Sequence, residues 1–330
     1  MTLSPTVWIV LLSTLLLVGG VGIAVSTNRR RFERRLADEM RALVALAPSS
    51  IARPSTVGLP APVERYRLMA VGDRAPVRSV VLRHGGTFRM SPTARALPIR
   101  GIQVLTADPP GFVWTGRIQM VPGLWVDARD MSVEGEGSMR VLIDDTITLA
   151  DVRGPHLDTG AALRLLAEMV WYPTSLFDVR SVTWSAIDAG HARATLRIGS
   201  LEVAGIFEFG ADSLPSGFTA ERFNDKGELL RWGGTYRDYR AVSGMRVPFE
   251  ADVTWQLASG PFTYAHWLVD AMEYDEPLPA EPGAALHRRG RQAEQHDLPL
   301  RARSSHRAPA SRRAPRSSSR GPRPSSGCSS

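Results

Sequence analysis

Arg164 and Glu168 stand four residues apart, so on a helix they share one face. Glu168 is a candidate general acid or base, and the pair is a candidate polar anchor inside a pocket. The competing reading is an ion pair that ties a helix to a sheet, through Arg129 or Arg222. Ties of that kind are commoner than catalytic carboxylates. His84, just before Gly85-Gly86, is a candidate proton carrier. Its plainer reading is a strand-end histidine that satisfies a backbone carbonyl. Asp130 completes the set: Glu168, Arg164, His84 and Asp130 would make a catalytic cleft if the fold brought them together. For ligand binding, the candidates are Arg164, Arg222, Trp114, Trp171, Trp184 and Trp255. With Trp125, Trp232 and Trp267, these tryptophans either fill a core or line a pocket for an apolar molecule.

Other chemistries are set aside by what the chain contains. Lys226 is its single lysine and lies in the turn Asn224-Asp225-Lys226-Gly227, so neither Schiff-base nor Walker-type lysine chemistry is served. Cys328 is its single cysteine, which removes intrachain disulfides and cysteine-based zinc sites. The seven histidines, at 84, 156, 191, 266, 287, 296 and 306, show no i+2 or i+4 pair. The carboxylates of Glu134-Gly135-Glu136-Gly137 and Asp144-Asp145 read as exposed turns, not as a calcium loop. Neither a glycine-rich phosphate cradle nor a Gly-x-Ser-x-Gly elbow is present. No metal and no cofactor is therefore expected.

Period-2 alternation dominates residues 77–150 and 180–275, as in 112–118, 141–149, 192–198, 201–209 and 247–255. Turn signals separate these runs at Asp188-Ala189-Gly190, at 224–227 and at Ala258-Ser259-Gly260-Pro261. Strands joined by short turns imply antiparallel meanders. One internal helix is expected, Thr159 to Tyr172. Asp158 or Thr159 would cap it, Leu163, Leu166, Ala167 and Val170 would form its apolar stripe, and Pro173 would stop it. The fold class is thus α+β: a mostly antiparallel, curved, half-barrel-like sheet with one packed helix.

The ends differ from the middle. Residues Pro5 to Val25 form an uncharged apolar run of 21 residues, enough to cross a hydrocarbon core of roughly 30 Å as a helix. A cleaved signal peptide is the rival, but Met1 to Ser4 lack the basic n-region it needs. Arg29, Arg30, Arg31, Arg34 and Arg35 follow at once, and the positive-inside rule keeps such a cluster cytoplasmic. Phe32, Leu36, Met40, Leu43 and Ala47 then recur at helical spacing. The expected organisation is a transmembrane anchor at 1–28, a helical stalk and linker at 29–58, a β-rich domain at 59–278, and an Arg/Ser/Pro-rich tail at 279–330. That tail is too polar to bury a core and is expected to be disordered. It is either a polybasic contact for anionic lipid or a plain solvated extension. The formal charge of +7 belongs to the ends: residues 59–275 hold 22 basic and 26 acidic residues. No specific nucleic-acid binding follows from it.

From Leu59 onward the chain resembles an uncharacterised bacterial family, a domain of unknown function found behind an N-terminal membrane segment. The residues that carry the likeness are Leu59-Pro60-x-Pro62-Val63-x-Arg65-Tyr66, His84-Gly85-Gly86-Thr87-Phe88-Arg89, Phe112-x-Trp114, Arg129-Asp130 and Gly135-x-Gly137-x-Met139. Arg164-x-x-x-Glu168-x-x-Trp171-x-Pro173, Trp184-x-x-x-Asp188 and Trp255-(x)4-Gly260-x-Phe262-x-Tyr264 continue it. Leu165 stands where such sequences carry an aromatic after the arginine. More loosely, strands wrapped around a helix are similar to the LolA/LolB-type lipoprotein-carrier fold, an open half-barrel that holds acyl chains. The apolar anchor, the tryptophan-bearing strands and the lack of catalytic motifs point to a membrane-anchored module for a lipid or other apolar ligand. A scaffold with a sealed interior and an unfamiliar enzyme using Glu168 and His84 are the alternatives.

Overall fold

The computed structural model describes residues 4–51, 58–283 and Leu286. Nearly all of the basic tail and most of the linker before Gly58 lie outside the described residues. Thirteen strands run through residues 79–274. They are β1 (Ser79–Phe88), β2 (Leu97–Ala107), β3 (Pro110–Val121), β4 (Leu124–Val133), β5 (Glu136–Ile143) and β6 (Ile147–Arg153), then β7 (Val182–Ala186), β8 (His191–Ile198), β9 (Leu201–Phe209), β10 (Pro215–Phe223), β11 (Leu229–Val242), β12 (Met245–Leu257) and β13 (Gly260–Tyr274). All pairings are antiparallel and make one curved sheet in the order β6-β5-β4-β3-β2-β1-β13-β12-β11-β10-β9-β8-β7.

That order explains where the internal helix goes. The chain starts mid-sheet at β1 and meanders out to the β6 edge. It then crosses to the β7 edge and meanders back until β13 pairs with β1. The crossing carries helix α3 (Pro155–Glu168), followed by 3-10 turns at Met169–Trp171 and Pro173–Phe177. A segment that joins opposite edges of a curved sheet by a short path runs through its hollow. Accordingly α3 is largely buried beyond its first turn: Ala161, Ala162, Leu163, Leu165, Leu166 and Ala167 are each in the core. The helix starts one turn earlier than the spacing of apolar residues indicates, with Pro155 in its first turn. Asp158 does not cap it; its carboxylate accepts the Gly137 backbone N–H of β5 at 2.7 Å.

Strand burial follows what covers each face. In β8, Ala192, Ala194, Leu196 and Ile198 point inward and Arg193 and Arg197 outward, the alternation of a half-wet strand. By contrast β2 is buried on both faces from Gly101 to Ala107. Its outer face is covered by helix α1 (Pro5–Leu46), whose Leu36, Met40 and Leu43 pack with Val81, Ile102, Val104 and Val113. The stalk segment and the apolar run are thus one continuous helix. Its N-terminal part is exposed and is long and apolar enough to cross a membrane.

A further helix, α2 (Ala61–Ala70), has no counterpart in the spacing analysis. Pro60 and Pro62 disfavour a helix interior, yet proline is well suited to a first helical turn. Val63, Tyr66 and Ala70 face the core. Tyr66 is fully buried, with its ring 5.5 Å from Phe177 and 5.8 Å from Phe209.

Candidate functional site

Between α3 and the inner face of the sheet lies a cavity of about 360 Å³. One wall comes from β3, β4 and β5, with Ile118, Met120, Val126, Met139 and Val141. Met90, in the loop after β1, also lines it and is 63% exposed, which places the mouth there. Besides Asp252, whose carboxylate pairs with Arg237 and His266, four charged residues line the cavity from this and the opposite wall: Asp130, Arg164, Glu168 and Arg222.

Three of the four form one network. Register aligns Gln103, Trp114 and Asp130 in a row across β2, β3 and β4. Arg164 comes down on that row from α3. Its Nη1 donates to Asp130 Oδ2 at 2.7 Å, its Nε to Glu168 Oε1 at 2.8 Å, and its Nη2 to Gln103 Oε1 at 3.2 Å. Gln103 Nε2 closes the ring by donating to Glu168 Oε2 at 2.6 Å. The guanidinium also stacks 4.8 Å from the Phe112 ring and 4.9 Å from Trp114. Burial works against the charge of Arg164, but the Glu168 and Asp130 carboxylates outweigh it and raise its pKa. Both oxygens of Glu168 are engaged, so the ring is built to hold α3 against the sheet. The tie runs through Asp130 and Gln103, not through Arg129 or Arg222. Arg129 is on the outer face, where it reaches Glu39 of α1 at 3.4 Å and donates to Ser138.

His84 sits beside this network but outside its hydrogen bonds. It is buried, and its Nε2 accepts the indole N–H of Trp114 at 2.8 Å. The proton therefore resides on Nδ1, which faces the Gly85 carbonyl at 3.3 Å. Burial pushes its pKa down to about 3, so the ring is neutral. A side chain on Gly101, the residue paired with His84 in β2, would collide with the imidazole. His84 thus orients Trp114, which in turn carries Arg164.

The remaining candidates divide. Trp114 and Trp171 line the cavity, and Trp171 is fixed by donating to the Pro248 carbonyl at 3.1 Å. Arg222 lies over Trp232 at 4.7 Å and over Trp255 at 5.8 Å. Trp255 therefore stands behind Arg222 and is not itself in the wall. Trp184 is away from the cavity: it donates to the Leu176 carbonyl at 2.7 Å and packs on Phe207 and Phe209. Gln103 escaped the sequence analysis although it interrupts the apolar run Ile102-Gln103-Val104-Leu105, a usable signal. The methionines of the wall left no such signal.

Asp144-Asp145 requires a correction. Asp145 is only 4% exposed. With Asp127 and Asp144 it surrounds Arg117, at 3.5, 3.5 and 3.6 Å respectively for Asp127, Asp145 and Asp144. Burial, then the Asp145 charge, push Asp127 up to about 7. The turn folds back under the sheet's outer surface, where Trp125 stacks 5.0 Å from Arg117. No group of three or more metal-ligating side chains occurs among the described residues.

Residues 49–267 match DUF6544, a family of unknown function, and the chain belongs to that family. No curated protein matches the chain. Among solved structures it is similar to a DUF1329 family protein from Desulfovibrio piger, at 11% identity, covering 68% of this chain and 98% of that one, with a TM-score of 0.40. A LolA superfamily protein from Nitrosomonas europaea is similar at 12% identity, 66% and 94% coverage and a TM-score of 0.36. A β-barrel-like DUF1849 protein from Brucella abortus follows at 9% identity, 61% and 99% coverage and a TM-score of 0.29. Scores this low say nothing about what the chain binds.

Proposed function

We propose that this DUF6544 member is a membrane-tethered binding module that holds a lipid or other apolar molecule between its sheet and α3. The cavity carries the reading. A wrapped sheet with a helix already inside it has little reason to leave about 360 Å³ of apolar-walled space unfilled, since interiors pack densely. That volume falls in the range of small-molecule sites, about 300–1,000 Å³.

The path of α1 supports a membrane origin for the ligand. Leu43 lies against Gly111 at the start of β3, and Glu39 reaches Arg129 midway along β4. Arg29 and Glu33 act on Asp145 in the β5–β6 turn. Followed toward its N-terminus, α1 therefore climbs to the strand ends that flank Met90 at the mouth. There the apolar residues Val121 and Leu124 are exposed at 48% and 39%. The apolar half of α1 continues beyond them, so the mouth faces the side from which a bilayer would approach. Native mass spectrometry of the full chain tests the reading. One lipid-mass adduct is expected, lost in the Val126→Phe/Val141→Phe variant that fills the cavity. A bare mass with no uptake of added fatty acid or phospholipid overturns it.

The arginine cluster after the apolar run supports a cytoplasmic domain. Cys328, as the single cysteine, reports on this directly. A membrane-impermeant maleimide is expected to label it only after cell lysis, and labelling of intact spheroplasts reverses the orientation.

A further inference from the structure

The cavity holds two guanidinium groups in opposite situations. Arg164 is matched by two carboxylates and an amide. Arg222, on the β10 wall, makes only ring contacts among the described residues: it stacks on Trp232 and Trp255 and has neither a hydrogen-bond acceptor nor a carboxylate within ion-pair distance. It is nevertheless held in place. Trp232 is anchored through its indole N–H to the Tyr264 hydroxyl at 3.1 Å. On its other side Arg222 lies against Gly160 of α3 so closely that a Cβ there would stand 2.9 Å from its Nε. A half-buried, oriented cation whose donor fork is unused inside a ligand cavity is a receptor for an anion.

We propose that the ligand is a single-tailed amphiphile with an anionic head, a carboxylate or a phosphate, and that the head sits on Arg222. The tail lies along Ile118, Met120, Val126, Met139 and Val141 on the facing wall. A cavity of about 360 Å³, small for a ligand site, favours one chain over two. This inference rests on the apolar-cavity reading above and adds the chemistry of the head to it.

The test uses the full chain in phosphatidylcholine nanodiscs and energy transfer from tryptophan to cis-parinaric acid or to its methyl ester. Signal from the cavity-filled Val126→Phe/Val141→Phe variant is subtracted as bilayer partitioning. The native chain is expected to bind the acid at least about tenfold more tightly than the ester, the size of one charge-assisted contact. Arg222→Gln is expected to bring the acid to the affinity of the ester while leaving the ester unchanged, and Arg222→Lys to keep most of the preference. Displacement of the probe by palmitate or by lysophosphatidate then tells a carboxylate head from a phosphate one. Equal affinity for acid and ester in the native chain overturns the head assignment and leaves the apolar cavity standing. Uptake of neither probe overturns both.

Discussion

Two arginines in this molecule gather carboxylates, and they do it differently. Arg164, on the inner face, makes direct hydrogen bonds of 2.7 and 2.8 Å to Asp130 and Glu168, with Gln103 closing the ring. Arg117, on the outer face, has three carboxylates around it at 3.5–3.6 Å. The first arrangement holds both carboxylates by direct hydrogen bonds, although Asp130 Oδ1 is left without a partner. In the second, three carboxylates share one guanidinium at longer range, the negative excess is larger, and burial with the Asp145 charge pushes Asp127 up to about 7. The same residue types make a fixed tie in one place and a titrating group in the other, and the difference lies in contact geometry and charge count.

The comparison can be broken at its strong end first. Arg164→Met strands two carboxylates in the interior, and a loss of about 3–5 kcal/mol of stability is expected in urea unfolding. Adding Glu168→Gln and Asp130→Asn to it should restore a large part. No recovery in the triple variant would mean that Arg164 acts by packing on Phe112 and Trp114 instead.

A smaller effect is expected one contact further out. His84→Leu leaves the Trp114 indole N–H without its acceptor, and about 1–3 kcal/mol should be lost. Because burial lowers His84 to about 3 while the unfolded imidazole titrates near 6.5, the unfolded native chain takes up a proton at pH 5.5 that the folded one does not, and the loss should be about 1 kcal/mol smaller at pH 5.5 than at pH 8. An equal loss at the two pH values would show that the folded imidazole titrates as the unfolded one does.

The weakest effect separates the clusters by pH. The Asp127 carboxyl keeps its proton in the folded chain up to about pH 7, whereas a free aspartate releases it near 3.8. The folded state therefore binds more protons than the unfolded one between these values, and stability falls as pH rises from about 4 to 7. Asp145, also raised by burial, acts in the same direction. The thermal midpoint of the native chain is expected to drop by a few degrees from pH 5 to pH 7.5, and Asp127→Asn to flatten that slope. An unchanged slope in the variant would assign the pH dependence elsewhere.

Local signals were readable where one face of an element meets water. The strands from 191 to 209 alternate because their outer face is solvated, and the turns at 188–190 and 224–227 announce themselves by residue type. α2 was not readable, since a ten-residue segment flanked by Pro60 and carrying Pro62 gives little helical signal until Tyr66 is seen against Phe177 and Phe209. Nor was the burial of Asp145, whose turn sequence looks exposed until Arg117 arrives from β3.

Chain chemistry alone determined the apolar N-terminal helix, the antiparallel β-rich middle and the pairing of Arg164 with Glu168, because each depends on neighbours a few residues apart. Tertiary structure alone decided that Asp130 and Gln103, 34 and 61 residues from Arg164, complete its ring. It also decided that Arg222 stacks on Trp232 and Trp255 beside a cavity. These outcomes follow from how thirteen strands curve around a helix that crosses between their edges, and curvature sums small twists over the whole sheet, so no single segment encodes it.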